Sequence, residues 1–138
     1  MKQTDFARGT AEDRKAYIIR PYEEVPLTEL LPAANSHLVV GEQLTVSFLT
    51  MKAGSEFNLH SHPHEQLMIV LEGYCEQIID GKLYHVEKGD ALYMPSNVVH
   101  GSFLEVDCKV IDVFVPRRED YIEKYKQQNP GKGIRFED

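Results

Sequence analysis

The chain has 138 residues and a formal net charge of −7, a length usual for one domain. Folding at this size buries roughly 70% of the surface that the unfolded chain would expose, so a core forms without disulfides. No apolar run approaches the length of a membrane span, and the basic residues Arg14, Lys15, Arg117, Arg118, Lys124 and Lys126 form no stripe suited to nucleic acid.

The two cysteines, Cys75 and Cys108, carry no pairing motif, which suits a reducing interior better than a disulfide scaffold. The opening MKQTDFARGTAEDRK lacks the apolar centre of a signal peptide. A cytoplasmic protein is the expectation.

In chain order, residues 1–36 read as an N-terminal arm with short strands. Residues 1–15 are polar and expected to be loosely ordered. Pro21, Pro26 and Pro32 break the next stretch into short extended pieces and turns. The apolar group Tyr17-Ile18-Ile19 could supply an extra strand.

Residues 37–116 carry the strand signals. Leu44, Val46 and Phe48 alternate with Thr45 and Ser47, which is period two. Leu67 to Leu71 is apolar on both faces, as in a strand covered on two sides. Asp80-Gly81 predicts a hairpin turn, because both residues tolerate positive φ. Gly73, Gly89 and the run Pro95-Ser96-Asn97 punctuate the rest. Short strands broken this often predict an all-β sandwich or barrel.

Residues 117–138 are expected to form a C-terminal helix and tail. Acids open the stretch 119–128, lysines follow, and Asn129-Pro130-Gly131 stops it. Tyr121, Ile122 and Tyr125 share one helical face, which predicts packing on the barrel.

Four of the six histidines are His60, His62, His64 and His100. In an extended chain His60 and His62 point the same way, so both can face one metal ion. His100 would close the site from a distant strand. An H-x-H pair alone is a weak signal.

The spacing around it is more specific. Gly54, five residues, His60, Ser61, His62, three residues, Gln66, six residues and Gly73 resemble the first cupin motif, with Gln66 where a glutamate is usual. Gly89, Pro95, Asn97 and His100 resemble the second, with Asn97 where glycine is usual and Leu104 where asparagine is usual. Asn97, like glycine, tolerates turn conformations.

The resemblance implies a single-domain cupin, a double-stranded β-helix or jelly-roll barrel, holding one divalent ion per chain through His60, His62, Gln66 and His100. His64 or Glu65 remains an alternative to Gln66 as the fourth ligand. Imidazole ligands suit Zn, Ni, Fe or Cu, and the sequence does not distinguish Zn, Ni, Fe, Mn or Cu. A neutral amide ligand leaves the metal's charge uncompensated, which favours Lewis-acid over oxygen-redox chemistry.

The stretch Cys108 to Val115 is apolar apart from Lys109 and Asp112, and Asp112 lies on the face that carries Val110 and Phe114. It reads either as a structural ion pair or as a general acid/base. The stretch Asp112 to Tyr121 (DVFVPRREDY), together with HSHPHEQ, resembles the small uronate cupins of pectin and alginate breakdown, the KdgF-like group. That resemblance implies ring opening and isomerisation of 4,5-unsaturated uronates to 5-keto-4-deoxyuronate. Asp112 and Arg118 would be catalytic, and Phe114, Phe48, Met94 and His64 would contact an anionic small-molecule substrate. Arg118 as a surface or dimer ion pair stays open. A homodimer is expected, with no nucleic-acid or membrane partner. The competing functions are a metal-dependent dioxygenase of the quercetinase or cysteine-dioxygenase kind, and a non-catalytic sugar or metabolite-binding cupin.

Overall fold

The computed structural model describes residues 1–134; the end of the expected tail, 135–138, lies outside the described residues. Among the described residues, ten strands form two antiparallel sheets. The first sheet has six strands in the order β1 (Leu27–Leu31), β2 (Ala34–Val40), β3 (Thr45–Met51), β10 (Cys108–Val115), β5 (Glu65–Glu72) and β8 (Ala91–Met94). The second has four, in the order β4 (Glu56–His60), β9 (His100–Phe103), β6 (Tyr74–Ile79) and β7 (Lys82–Glu87).

Alternation along the strands builds the interior. In β3, Thr45, Ser47, Leu49 and Met51 are buried while Val46, Phe48 and Thr50 are half-exposed. In β10, Cys108, Val110, Asp112 and Phe114 are buried. These residues join Met68, Val70, Cys75 and Val86 inside the barrel. Ser36 and Ser47 satisfy one another through their buried hydroxyls at 2.6 Å, which offsets the desolvation cost of polar side chains inside.

The turns follow their chemistry. Asp80 and Gly81 both have positive φ, 49° and 80°, as a two-residue hairpin requires. Asn97 has φ 67°, so it occupies the left-handed conformation expected of it. At Gly101 a β-carbon would lie 2.6 Å from the Phe57 carbonyl oxygen, so glycine is what lets β9 run close against β4.

Helix α3 (Glu119–Gln128) opens with Glu119 and Asp120 and buries Ile122 and Tyr125. It is tied to β1: Gln128 exchanges hydrogen bonds with the Glu29 backbone at 2.7 and 2.8 Å, and Lys124 donates to the Leu30 carbonyl at 2.7 Å. Among the described residues, no helix is long and apolar enough to cross a membrane.

Three expectations are corrected. Residues 17–19 form no strand: Tyr17 is 86% exposed, and the additional strand is β1, whose buried Thr28 and Leu30 give it an inward face. Residues 1–15 hold local structure, a 3-10 turn at Gln3–Asp5 and helix α1 (Ala11–Arg14), whose cap Thr10 accepts from Asp13 N–H; helix α2 (Pro21–Glu24) follows. Strand β5 is not covered on both sides, because Leu67 is 37% exposed on its outer face.

Candidate metal centre

Three imidazoles converge at one end of the barrel. Register sets two of them opposite one another: His60 pairs with His100 across β4 and β9, with ring centroids 4.3 Å apart. His62 lies just beyond β4, where Asn97 N–H donates to its carbonyl at 2.8 Å. The left-handed turn at Asn97 thereby anchors the second histidine.

All three rings are oriented in the same manner. Nδ1 of His60 bonds the Asn58 carbonyl at 2.6 Å, Nδ1 of His62 the His64 carbonyl at 3.0 Å, and Nδ1 of His100 the Val98 carbonyl at 2.9 Å. A carbonyl only accepts, so each Nδ1 carries a hydrogen, which leaves Nε2 as the ring atom available to a metal. Ligand atoms of the three lie within 4.8 Å of one another. Burial, then the charge of Arg118, pushes the His62 pKa down to about 4; burial also lowers that of His100. Both are held in the neutral form that a metal needs.

Gln66 joins them from β5. Its Oε1 stands 3.1 Å from His62 Nε2. Two acceptors facing one another with no proton between them are mismatched unless a cation sits nearby. The donor set therefore fits a divalent metal: three imidazole nitrogens fixed by carbonyl partners, with an amide oxygen beside them.

Asp112 lies on the inner face of β10, diagonal to Gln66, since Phe114 pairs with Gln66 and Asp112 with Met68. Gln66 Nε2 donates to Asp112 Oδ1 at 2.9 Å. Burial raises the Asp112 pKa to about 6, against the pull of that bond and of Arg118.

Arg118 follows the end of β10 and is 8% exposed. Its backbone N–H donates to Thr45 Oγ1 at 2.9 Å. Its guanidinium lies 3.7 Å from the Tyr121 ring centroid and 4.8 Å from that of Phe114, and it is bound by Asp120 through two nitrogens. His60, Gln66, His100, Asp112, Phe114 and Arg118 line one interior cavity. It meets an outer groove at Phe57, His60, Arg118 and Tyr121.

Other expected site residues stand elsewhere. Phe48 points out of the barrel, edge-on to Tyr22 at 5.8 Å. It pairs with Ile111, whereas the inward row is Thr45, Phe114 and Gln66, so Phe48 cannot contact a ligand in the cavity. Met94 is fully buried and its sulfur accepts from Gln77 Nε2 at 3.6 Å; it lies in the core and does not line the cavity. His64 packs edge-on against His62 and Phe114, outside the cavity lining, and its buried Nδ1 has no partner. Ser102, Gln77, Tyr121 and Cys75 line the cavity without having been anticipated. Ser102 had a signal, standing two residues from His100 on the same strand face. Asp120 had none, because its partner is set by how α3 leaves β10.

The Cupin domain family model matches residues 47–114, the segment that holds all four residues facing the centre. The chain belongs to the cupin family, and its triad could hold a metal ion. Among relatives, it is 28% identical over 103 residues to the pectin degradation protein KdgF of Dickeya dadantii, spanning 72% of this chain and 94% of that protein. The structure of KdgF from Halomonas sp. matches with 30% identity and a TM-score of 0.65, over 70% of this chain and 91% of that one. An RmlC-like cupin from Shewanella frigidimarina matches with 26% identity and a TM-score of 0.68, over 72% and 90%.

Proposed function

We propose that this cupin is a metal-dependent enzyme acting on an anionic sugar, opening and isomerising 4,5-unsaturated uronates to 5-keto-4-deoxyuronate. The observation that carries the reading is the sharing of one cavity by His60, Gln66 and His100 of the candidate metal centre with Asp112 and Arg118. The likeness to the two KdgF proteins supports the substrate class.

Each residue has a stated part. His60, His62, Gln66 and His100 hold one divalent ion, which when bound supplies positive charge where an oxygen becomes negative. Asp112 takes and returns the proton; a pKa near 6 is well placed for that at neutral pH. Arg118, stacked on Tyr121, offers the edge that Asp120 leaves unused to the substrate carboxylate. Phe114 walls the cavity beside it, its ring centroid 4.8 Å from the guanidinium.

The test follows loss of the conjugated-alkene absorbance of unsaturated monouronates. Metal-loaded wild type should accelerate that loss over the spontaneous rate, and Asp112→Asn should lower kcat by about 10² to 10⁴ with the metal retained. No acceleration with either galacturonate-derived or mannuronate-derived substrate would reject the function. Full activity in Asp112→Asn would keep the substrate and reject the proton's route.

Two further parts of the reading concern setting. Free, buried Cys75 and Cys108 suit a reducing cytoplasm. Leu67, Tyr93 and Val115 lie exposed on the outer face of the six-stranded sheet, Leu67 directly beside Tyr93; a second copy of the chain covering them would make the homodimer. Sedimentation equilibrium at the mass of one chain would reject the dimer.

A further inference from the structure

An amide ligand has a problem that a carboxylate or imidazole does not. Its oxygen binds a cation and its NH₂ cannot, yet the two exchange places by a half-turn about a soft, nearly two-fold torsion. At position 66 two neighbours compete for the NH₂. One is the bare Nε2 lone pair of His62, 3.1 Å from Gln66 Oε1, which would accept a hydrogen bond if the amide turned over. The other is the Asp112 carboxylate, 2.9 Å from Nε2.

We propose that Asp112 is the positioning residue that keeps the Gln66 oxygen turned toward the histidines; this rests on Gln66 being a metal ligand, as argued above. A charge-assisted hydrogen bond to a carboxylate outweighs a neutral one to an imidazole, and turning the amide over would set its oxygen against the carboxylate. Asp112 is held for this on an adjoining strand by the pairing of Phe114 with Gln66, and both side chains are buried. Without Asp112 the amide has one remaining side-chain partner, His62. That partner captures the NH₂ and removes two ligands together: the amide oxygen turns away, and the His62 lone pair is occupied.

The experiment measures Co²⁺ affinity by competition with a chelator, with the visible bands of bound Co²⁺ reporting the ligand set and circular dichroism reporting the fold. Asp112→Asn keeps an acceptor but loses the charge, and should bind Co²⁺ with an affinity between those of wild type and Asp112→Leu. Asp112→Leu offers none and should bind at least about tenfold more weakly with altered bands. In a Gln66→His background, whose ligand has no amide to orient, adding Asp112→Leu should change affinity by less than about threefold. Wild-type affinity in Asp112→Leu, or an equal loss in the Gln66→His background, would overturn the inference. Unchanged affinity in Gln66→Ala would instead overturn the ligand reading beneath it. Should Asp112→Leu fail to fold, metal-free wild type labelled with ¹⁵N-glutamine decides. A Gln66 NH₂ pair protected from exchange, and shifted in Asp112→Asn, supports the clamp; a freely exchanging pair refutes it.

Discussion

Asp120 grips Arg118 from two residues away, its carboxylate oxygens 3.2 Å from Nε and 2.7 Å from Nη2. One whole edge of the guanidinium is therefore occupied, while the Tyr121 ring lies beneath its plane at 3.7 Å. Burial pushes the Asp120 pKa up, but the hydrogen bond and charge of Arg118 outweigh it and leave the value lowered. The pair prevents Arg118 from meeting a ligand through the Nε edge and fixes the direction of the other edge.

Asp120→Ala should accordingly raise KM for a carboxylate-bearing substrate more than it lowers kcat. The side chain of Asp120 is 56% exposed, so solvent screening limits the effect to about 1 kcal/mol, roughly fivefold in KM. Steady-state kinetics on a charged substrate and an uncharged analogue checks this. An equal rise for both would mean that the pair serves only the fold.

His60→Ala/His62→Ala should abolish binding of a divalent ion, since it removes two of the three converging nitrogens. Elemental analysis after dialysis should give about one ion per chain in wild type and close to none in the double variant. Wild type should also melt higher with metal than after chelation, because a ligand that binds only the folded state adds to its stability. Full occupancy in the double variant would place the metal elsewhere.

Asn97 holds φ 67° while its N–H supports the His62 carbonyl. Asn97→Ala should cost about 1 kcal/mol, because a β-carbon without a compensating polar group disfavours the left-handed region. Asn97→Gly should stay within a few tenths of a kcal/mol of wild type. Urea unfolding of metal-free protein measures both, and an alanine variant as stable as wild type would refute the account.

His85 sits between Glu76 and Glu87, with Nδ1 to Glu76 at 2.7 Å and Nε2 to Glu87 at 3.1 Å. These hydrogen bonds raise its pKa above 6.5. A raised folded-state pKa means that the stabilisation is fully present below 6.5 and is lost as pH rises through the folded value. NMR titration should find the His85 midpoint above 6.5, and Glu76→Gln should bring it down. A wild-type midpoint at or below 6.5 would contradict the structure.

Local chemistry made much of the fold legible in the sequence. A period-two run marked β3, an apolar run marked β10, Asp80-Gly81 marked a hairpin, and the acid-to-base gradient closed by Asn129 marked α3 with the bounds 119–128 that the structure has. The spacing from His60 through Gln66 also placed these residues in reach of one another, because neighbours in an extended segment have few ways to point. Strand β3 shows where that reasoning stopped: an alternating pattern states that two faces exist, and its more apolar face, with Val46 and Phe48, turned out to be the outer one.

What the sequence by itself determined is therefore local: where the chain extends, where it turns, and which side chains within one strand travel together. The tertiary structure decided which of the two faces looks inward, and which residues from different strands meet. Gln66 and Asp112 are 46 residues apart in the chain, and only the register of β5 against β10 makes them diagonal neighbours. A shift of that register by one residue would turn one of them out of the barrel. Register is fixed by the packing of the whole core and by each strand's pairing with its neighbours, and no spacing within a single strand encodes it.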